Sequence, residues 1–294
     1  MSSAYHTSVI LAVEHSVQNL PQVLARLAPA AHPRLEFLVC HKEPSDPLAV
    51  LERNENCRAI ACPPTARIPH MWRDGILAAR GERVALLSAH CIPCASWSAN
   101  LERLAMPPGT AGVGGYFSND PTASALDTAI FLLRYAQFCT PRDRDAIAHI
   151  AADNAVYRRS AILDCPELLP QGFWETDYHR QFAARGLKLQ LTSELEVIHT
   201  NRYTSPEFAA QRREHGFEFG RGRARVMSTA RLTLLAAAAP AIPAVLLAKV
   251  LRRAGASGAA RAIYAFFHLT YFALSWGLGE TRGLWSELRS RVAA

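Results

Sequence analysis

The sequence has no cysteine arrangement that would frame a small secreted fold. Its seven cysteines, Cys40, Cys57, Cys62, Cys91, Cys94, Cys139 and Cys165, are odd in number and unevenly spaced. That excludes a disulfide scaffold and points to mostly free thiols in a reducing compartment. Cys91 and Cys94 form a CxxC without a second pair at zinc-knuckle spacing, so structural or incidental thiols are expected ahead of a metal or redox role. The stretch from Met1 to Ser16 has no basic leader and too short an apolar run for a signal peptide, so the working part of the chain is expected to start in the cytoplasm. No repeat or low-complexity tract interrupts the chain up to about Arg225. The basic residues do not interleave with aromatics on a groove-like element, and no nucleic-acid partner is expected.

What is present is a chain of 294 residues, half of them hydrophobic, with a net charge of +7. That length carries one large domain with an appendage or two small ones, and the charge favours anionic partners such as phosphorylated substrates or an acidic membrane surface. Apolar runs at Ser8–Val13, Leu35–Cys40 and Arg83–Leu87 read as buried strands. Between and after them, Leu20, Val23, Leu24 and Leu27 share one helical face, and Met71–Arg80 reads as a helix stopped by Gly81. Further strand-like segments follow at 111–116 and 187–201, with helices expected over 122–138 and 175–186. Strands and helices alternating at this spacing predict an α/β fold with a mostly parallel sheet covered on both faces, where ligands sit at the carboxyl ends of the strands. Ser88 and His90 occupy such an end.

Beyond Arg225 the composition changes. Leu232–Ala248 carries no charge over seventeen residues, and Ala262–Gly279 none over eighteen with His268 neutral. Both are at the short end of what spans a bilayer. Pro240 and Pro243 are expected to kink the first, while Tyr264, Tyr271 and Trp276 suit an interface. Basic residues precede, separate and follow the pair: Arg221, Arg223, Arg225 and Arg231, then Lys249, Arg252, Arg253 and Arg261, then Arg282, Arg289 and Arg291. A plain hairpin would put the middle cluster outside, against the positive-inside tendency. Two re-entrant or interface-lying helices at the cytoplasmic face of the inner membrane are therefore expected, with buried core helices as the alternative. This divides the chain into 1–225 and a membrane-associated helical segment, 226–294.

Five segments, SVILAVEHSVQNLPQVLARL, ARGERVALLSAHCIPCASWSANL, ADNAVYRRSAI, GFWETDYHRQFAARGLKL and VIHTN, stand in an order and spacing that resembles a family-two inverting glycosyltransferase of GT-A fold. The resemblance covers Ser8 to Asn201, and the tail is similar to the membrane-associated end of some bacterial members. It implies transfer of a sugar, with inversion, from an activated donor, usually a nucleotide-diphosphate sugar, to an acceptor hydroxyl, and the membrane segment makes a lipid, lipid-linked or glycan acceptor the expected class.

The family's Asp-x-Asp, which holds a divalent metal on the donor diphosphate, reads Ser88-Ala89-His90 here. A neighbouring group of GT-A enzymes uses Asp-x-His followed by Cys, and SAHC is similar to it with the first Asp missing. That version makes His90 a ligand for Mn or another divalent ion, with Mg the other ion the family implies. His199 in VIHTN matches a late metal ligand. The alternative is that His90 only hydrogen-bonds the donor or caps a loop. The resemblance assigns the catalytic base to Glu175, with Asp177 beside it, although both acids also suit a helix start. It assigns donor binding to Val13, Glu14, His41, Lys42, Ser88 and His90, and acceptor binding to Asp153, Asn154, Phe173 and Trp174. His41 and Lys42 stand where paired aspartates usually read the nucleotide base, and Lys42 would instead meet a phosphate. Arg158 and Arg159 would contact diphosphate or lie on solvated surface. The competing function is a catalytically impaired GT-A module serving as a membrane-anchored scaffold.

Overall fold

The computed structural model describes residues 5–14, 17–43, 54–200 and 203–292. The chain divides into two compact units, 1–120 with 138–200, and 121–137 with 201–294.

The first unit is built on one mixed sheet. Three largely apolar strands make its parallel centre: β1 (Thr7–Val13), β2 (Leu35–His41) and β4 (Arg83–Ser88), every residue of which is buried. An edge strand, β3 (Cys57–Ala61), sits outside β2 and is only partly covered, so its pattern is weak in the sequence. The other strands are β5 (Cys91–Pro93), β6 (Thr110–Asn119), β7 (Arg144–Ile147), β8 (Asn154–Arg158) and β9 (Lys188–His199). Among the described residues the sheet order is β3-β2-β1-β4-β8-β6-β9-β5, with β7 pairing to β9. β8 runs antiparallel between β4 and β6, so parallel pairing dominates one half of the sheet and mixed pairing the other.

Register aligns the carboxyl ends of the parallel strands. Ala12 is opposite Ser88 and Val13 is opposite His41, which puts Glu14, Lys42 and His90 along one rim. Helices α1 (Leu20–Leu27) and α2 (Ile68–Ala78) bury their apolar faces on the sheet, and Trp72 of α2 donates its indole N–H to the Leu87 carbonyl of β4 at 2.8 Å. The expected stop at Gly81 is corrected: α2 already ends at Ala78. Gly81 is needed for another reason, since a Cβ there would press on the Ser8 backbone and hydroxyl. Helices α3 (Trp97–Arg103), α5 (Arg159–Leu163) and α6 (Glu175–Ala184) complete the unit.

The second unit holds α4 (Ala125–Tyr135), α7 (Ser205–Arg225), α8 (Thr229–Ala237), α9 (Ile242–Tyr264) and α10 (Phe266–Val292). Residues 205–225, expected from composition to belong with the sheet, lie in this unit. The reason is a pair of glycine spacings, Gly216/Gly220 on α7 and Gly279/Gly283 on α10. A Cβ at Gly216 would collide with the Trp276 carbonyl, and one at Gly279 with that of Arg213, so the two backbones meet directly. Into this seam the nearly buried Glu280 accepts from Arg223 at 2.6 Å and from the Trp276 indole at 2.8 Å.

Among the described residues no single helix is long and apolar enough to cross a membrane. The segments 229–237 and 239–255 pass that test together but are bent by 53°, with Pro240 and Pro243 at the break, where the sequence predicts a kink. The second uncharged stretch is divided between the end of α9 and the start of α10. α10 buries Leu269, Phe272, Ala273 and Leu284, yet exposes Phe267, Tyr271, Leu274, Leu278 and Trp285 on its other side.

Candidate active site

β4 runs out at Ser88, and the chain turns through Ala89 and His90 directly into β5. The turn is held by two residues that also bond each other. Asn19, buried, donates to the Ala89 carbonyl at 3.1 Å and to the Thr200 hydroxyl at 2.9 Å. Thr200 in turn donates its backbone N–H to the His90 carbonyl at 2.8 Å. The imidazole of His90 is thus presented from a fixed backbone.

Facing it is Asp153, on the loop that enters β8. The Ser88 hydroxyl donates to Asp153 Oδ1 at 2.6 Å, and His90 Nε2 lies 3.1 Å from Ser88 Oγ and 3.4 Å from Asp153 Oδ1. Asp153 thus brings a carboxylate to the end of β4, beside Ser88 and His90. Cys91 is fully buried, and its sulfur, an imidazole nitrogen of His90 and a carboxylate oxygen of Asp153 all lie within 4.8 Å of one another. A set of one imidazole, one sulfur and one carboxylate oxygen suits Zn better than Mg, which prefers an all-oxygen shell, while His90 and Asp153 without the sulfur also suit Mn. His199 stacks edge-on against His90 with ring centroids 5.6 Å apart and lies outside that close trio. From the sequence, Asp153 was expected on the acceptor side, and a metal role for Cys91 ranked behind that of an incidental thiol. The signal for Cys91 was the Cys that follows His90.

Glu175 is the first residue of α6 and accepts the Ala152 N–H at 3.2 Å, which brings its carboxyl next to Asp153. Burial pushes the Glu175 carboxyl up to about 8, and the Asp153 charge adds to the rise, while the Ala152 hydrogen bond opposes it. Asp177 faces elsewhere and pairs with Arg180 on the exposed side of the helix. The two acids read together from the sequence are thus separated by the helix turn, and Glu175 alone joins the cluster.

The aromatic pair divides in the same way. Phe173 is 1% exposed and stacks on Tyr178 at 4.6 Å and against Tyr157 at 5.1 Å, so it belongs to the core and offers no acceptor platform. Trp174 is 38% exposed, with its indole N–H donated to the Gln171 carbonyl. Asn154 is buried, with its Nδ2 donating to the Tyr116 and Leu195 carbonyls and its Oδ1 accepting from Trp97. Those bonds tie three strands together and leave the amide nothing to offer an acceptor.

At the other end of the rim, Lys42 Nζ pairs with Glu14 Oε1 at 3.2 Å, while Val13 is buried and His41 Nδ1 bonds the Glu43 carbonyl. The phosphate-binding charge expected at Lys42 is therefore already matched by Glu14. All seven cysteines are free thiols. Arg158 and Arg159 lie at the far end of β8, away from this rim.

No protein-family model matches the chain, and no curated protein matches it. Among solved structures, GalNAc-T7, crystallised with UDP, GalNAc and Mn2+, is similar with a TM-score of 0.50 and 13% identity. The fold is that of the GT-A glycosyltransferases. The match covers 71% of this chain and 47% of that one, so this chain spans about half the length of the GalNAc-T7 chain. Residues 1–349 of S. aureus TarS match over 97% of this chain and 92% of that one, with a TM-score of 0.48 and 13% identity.

Proposed function

We propose that this protein is an inverting glycosyltransferase that moves a sugar from a nucleotide-diphosphate donor to a lipid or lipid-linked acceptor at the cytoplasmic face of a membrane. The observation that carries the reading is the joining of Glu175, Asp153, Ser88 and His90 into one cluster at the carboxyl rim of a GT-A sheet. On the donor side, His90 and Asp153, with Cys91 behind them, would hold a divalent ion; when bound, that ion would neutralise charge on the departing diphosphate.

Glu175 acts as general base. As the acceptor oxygen forms its bond to the anomeric carbon, its proton passes to the Glu175 carboxylate. The bond from that carbon to the diphosphate oxygen breaks, and its electron pair leaves with the nucleoside diphosphate. A single displacement of this kind inverts the anomeric centre. A carboxyl raised to about 8 is a stronger base than an ordinary Glu, and the fraction ionised and ready to accept the proton grows as pH rises toward that value. Trp174, exposed one residue before Glu175, is suited to stack on the acceptor.

The membrane reading rests on the exposed apolar stripe of α10, Phe267, Tyr271, Leu274, Leu278 and Trp285, followed on the same side by the exposed Arg282 and Arg289. An apolar face edged with arginine suits the boundary of an anionic bilayer. The Glu14–Lys42 pair favours one alternative, a GT-A module that binds without turning over, since it occupies positions where donor recognition is expected.

Thermal unfolding with a panel of nucleotide diphosphates, with and without Mn, tests the donor reading. A nucleotide at about a hundred times its Kd should stabilise the fold by about 2.7 kcal/mol, with the metal-dependent part lost in His90→Ala and Asp153→Ala. Silence from every nucleotide contradicts it.

A further inference from the structure

The two arginines of ADNAVYRRS that take no part in the site above stand at the opposite end of the sheet. There a cleft of about 560 Å³ is lined by His6, Glu82, Arg83, Arg158 and Arg159, together with the turn at 104–106. Arg83 begins β4 and Ser88 ends it, so the cleft lies roughly 17 Å from the candidate active site at about 3.3 Å per residue.

Each of the three arginines is held in place by neutral oxygens. Arg83 donates Nε to the Thr7 hydroxyl at 3.1 Å and Nη1 to the Leu104 carbonyl at 2.6 Å. Arg158 donates to the carbonyls of Thr110, Met106 and Pro107, and Arg159 to those of Ile76 and Leu77. Among the described residues none of them forms an ion pair, and the one acid of the cleft, Glu82, is exposed and lies 3.9 Å from His6. Arg83 is only 5% exposed, and its Nη2 is buried without a hydrogen-bond partner. A buried guanidinium nitrogen left unpaired is costly, and so are like charges held together in a cleft. The cost is visible in the neighbouring groups: burial and the Arg158 charge push the Arg83 guanidinium down, and burial and the Arg83 charge push the His6 imidazole down. An anion would relieve both.

We propose that this cleft is a second anion site, shaped for a phosphate group that Arg83, Arg158 and Arg159 bind together at the end of the sheet opposite the catalytic rim. Arg158 and Arg159, half-buried and pre-oriented by carbonyls, keep N–H groups that those bonds do not use, which lowers the ordering cost of binding phosphate oxygens. The volume exceeds that of inorganic phosphate alone and fits a phosphate carried on a small molecule or on a lipid headgroup. The inference stands apart from the proposed sugar transfer and holds whether or not the chain turns over a donor.

The test titrates inorganic phosphate and pyrophosphate into the full chain at constant ionic strength, against chloride, followed by thermal unfolding and by phosphorus NMR line width. The wild type should give a saturable response that chloride does not reproduce. His90→Ala, altered at the far rim, should keep it. Arg159→Gln, which removes a half-buried group bonded only to carbonyls, should weaken the apparent affinity at least tenfold. Arg83→Lys, which keeps the charge and loses Nη2, should weaken it as well. A second arm uses phosphatidylcholine vesicles with and without phosphatidylglycerol. Sedimentation with the anionic vesicles that falls in Arg159→Gln, with no response to free phosphate, assigns the phosphate to a lipid headgroup. No response to either probe, or a response equal in wild type and Arg159→Gln, overturns the proposal.

Discussion

The Ser88 hydroxyl donates a 2.6 Å hydrogen bond to Asp153, sixty-five residues away, so the carboxylate at the end of β4 is delivered by the neighbouring loop that enters β8. The charge of the site depends on residue 153. Asp153→Ala should remove the metal-dependent part of nucleotide binding, at least tenfold in affinity, while Ser88→Ala should cost less because the charge stays. The pair should also be non-additive in a double-mutant cycle, by about 0.5 to 3 kcal/mol, since both belong to one network.

The raised Glu175 carboxyl makes stability depend on pH in a defined direction. Its ordinary value is 4.5 and folding raises it to about 8. Below 4.5 the group is protonated in both the folded and unfolded chain and is neutral in its effect. Between 4.5 and about 8 the unfolded chain releases the proton and the folded one retains it, so stability falls as pH rises. Glu175→Gln, which resembles the protonated form, should match the wild type at pH 4. It should exceed it increasingly toward pH 8, by up to about 1.4 kcal/mol per pH unit. Urea unfolding of the two proteins across that range measures the gap.

Adjacent aromatics should separate by phenotype. Phe173→Ala empties a place among Tyr157, Tyr178 and Trp72 and should cost about 3 to 5 kcal/mol of stability. Trp174→Ala should leave stability within about 1 kcal/mol and raise the KM for acceptor, as seen by denaturation and by kinetics respectively.

The α7–α10 seam should not tolerate side chains. Gly279→Val and Gly216→Val each push a Cβ into the facing backbone, at a cost of about 1 to 3 kcal/mol or more. Gly222→Ala, on the same helix with open space around it, should be neutral or slightly stabilising by helix propensity. Thermal unfolding of the three variants makes the comparison.

These cases also mark how far the sequence could be read. β1, β2 and β4 were legible because strands buried on both faces are near-continuous apolar runs. β3, β5, β7 and β8 were not: an edge, a three-residue strand containing Pro93, an exposed pairing, and a five-residue strand opening on a polar Asn154 and closing on Arg158. Ser88, His90 and Glu175 could be named from strand ends and motif order. Asp153 could be named but not given its role, because its partner is distant in sequence and close only through β4–β8 pairing. Nothing in a string of letters tells which of Phe173 and Trp174 turns inward. That is decided by the partners Tyr157 and Tyr178. The glycines at 216, 220, 279 and 283 were not singled out in the sequence, because their meaning lies in the helix they face.

The central claim is that Glu175 takes the acceptor proton beside the His90–Asp153 cluster. Single-turnover transfer from a bound nucleotide-sugar, compared between wild type and Glu175→Gln with donor affinity measured alongside, tests it most directly. The account predicts a loss of about 10²-fold or more in rate with donor affinity retained, and a product of inverted anomeric configuration in the wild type. Transfer by Glu175→Gln at the wild-type rate would contradict it.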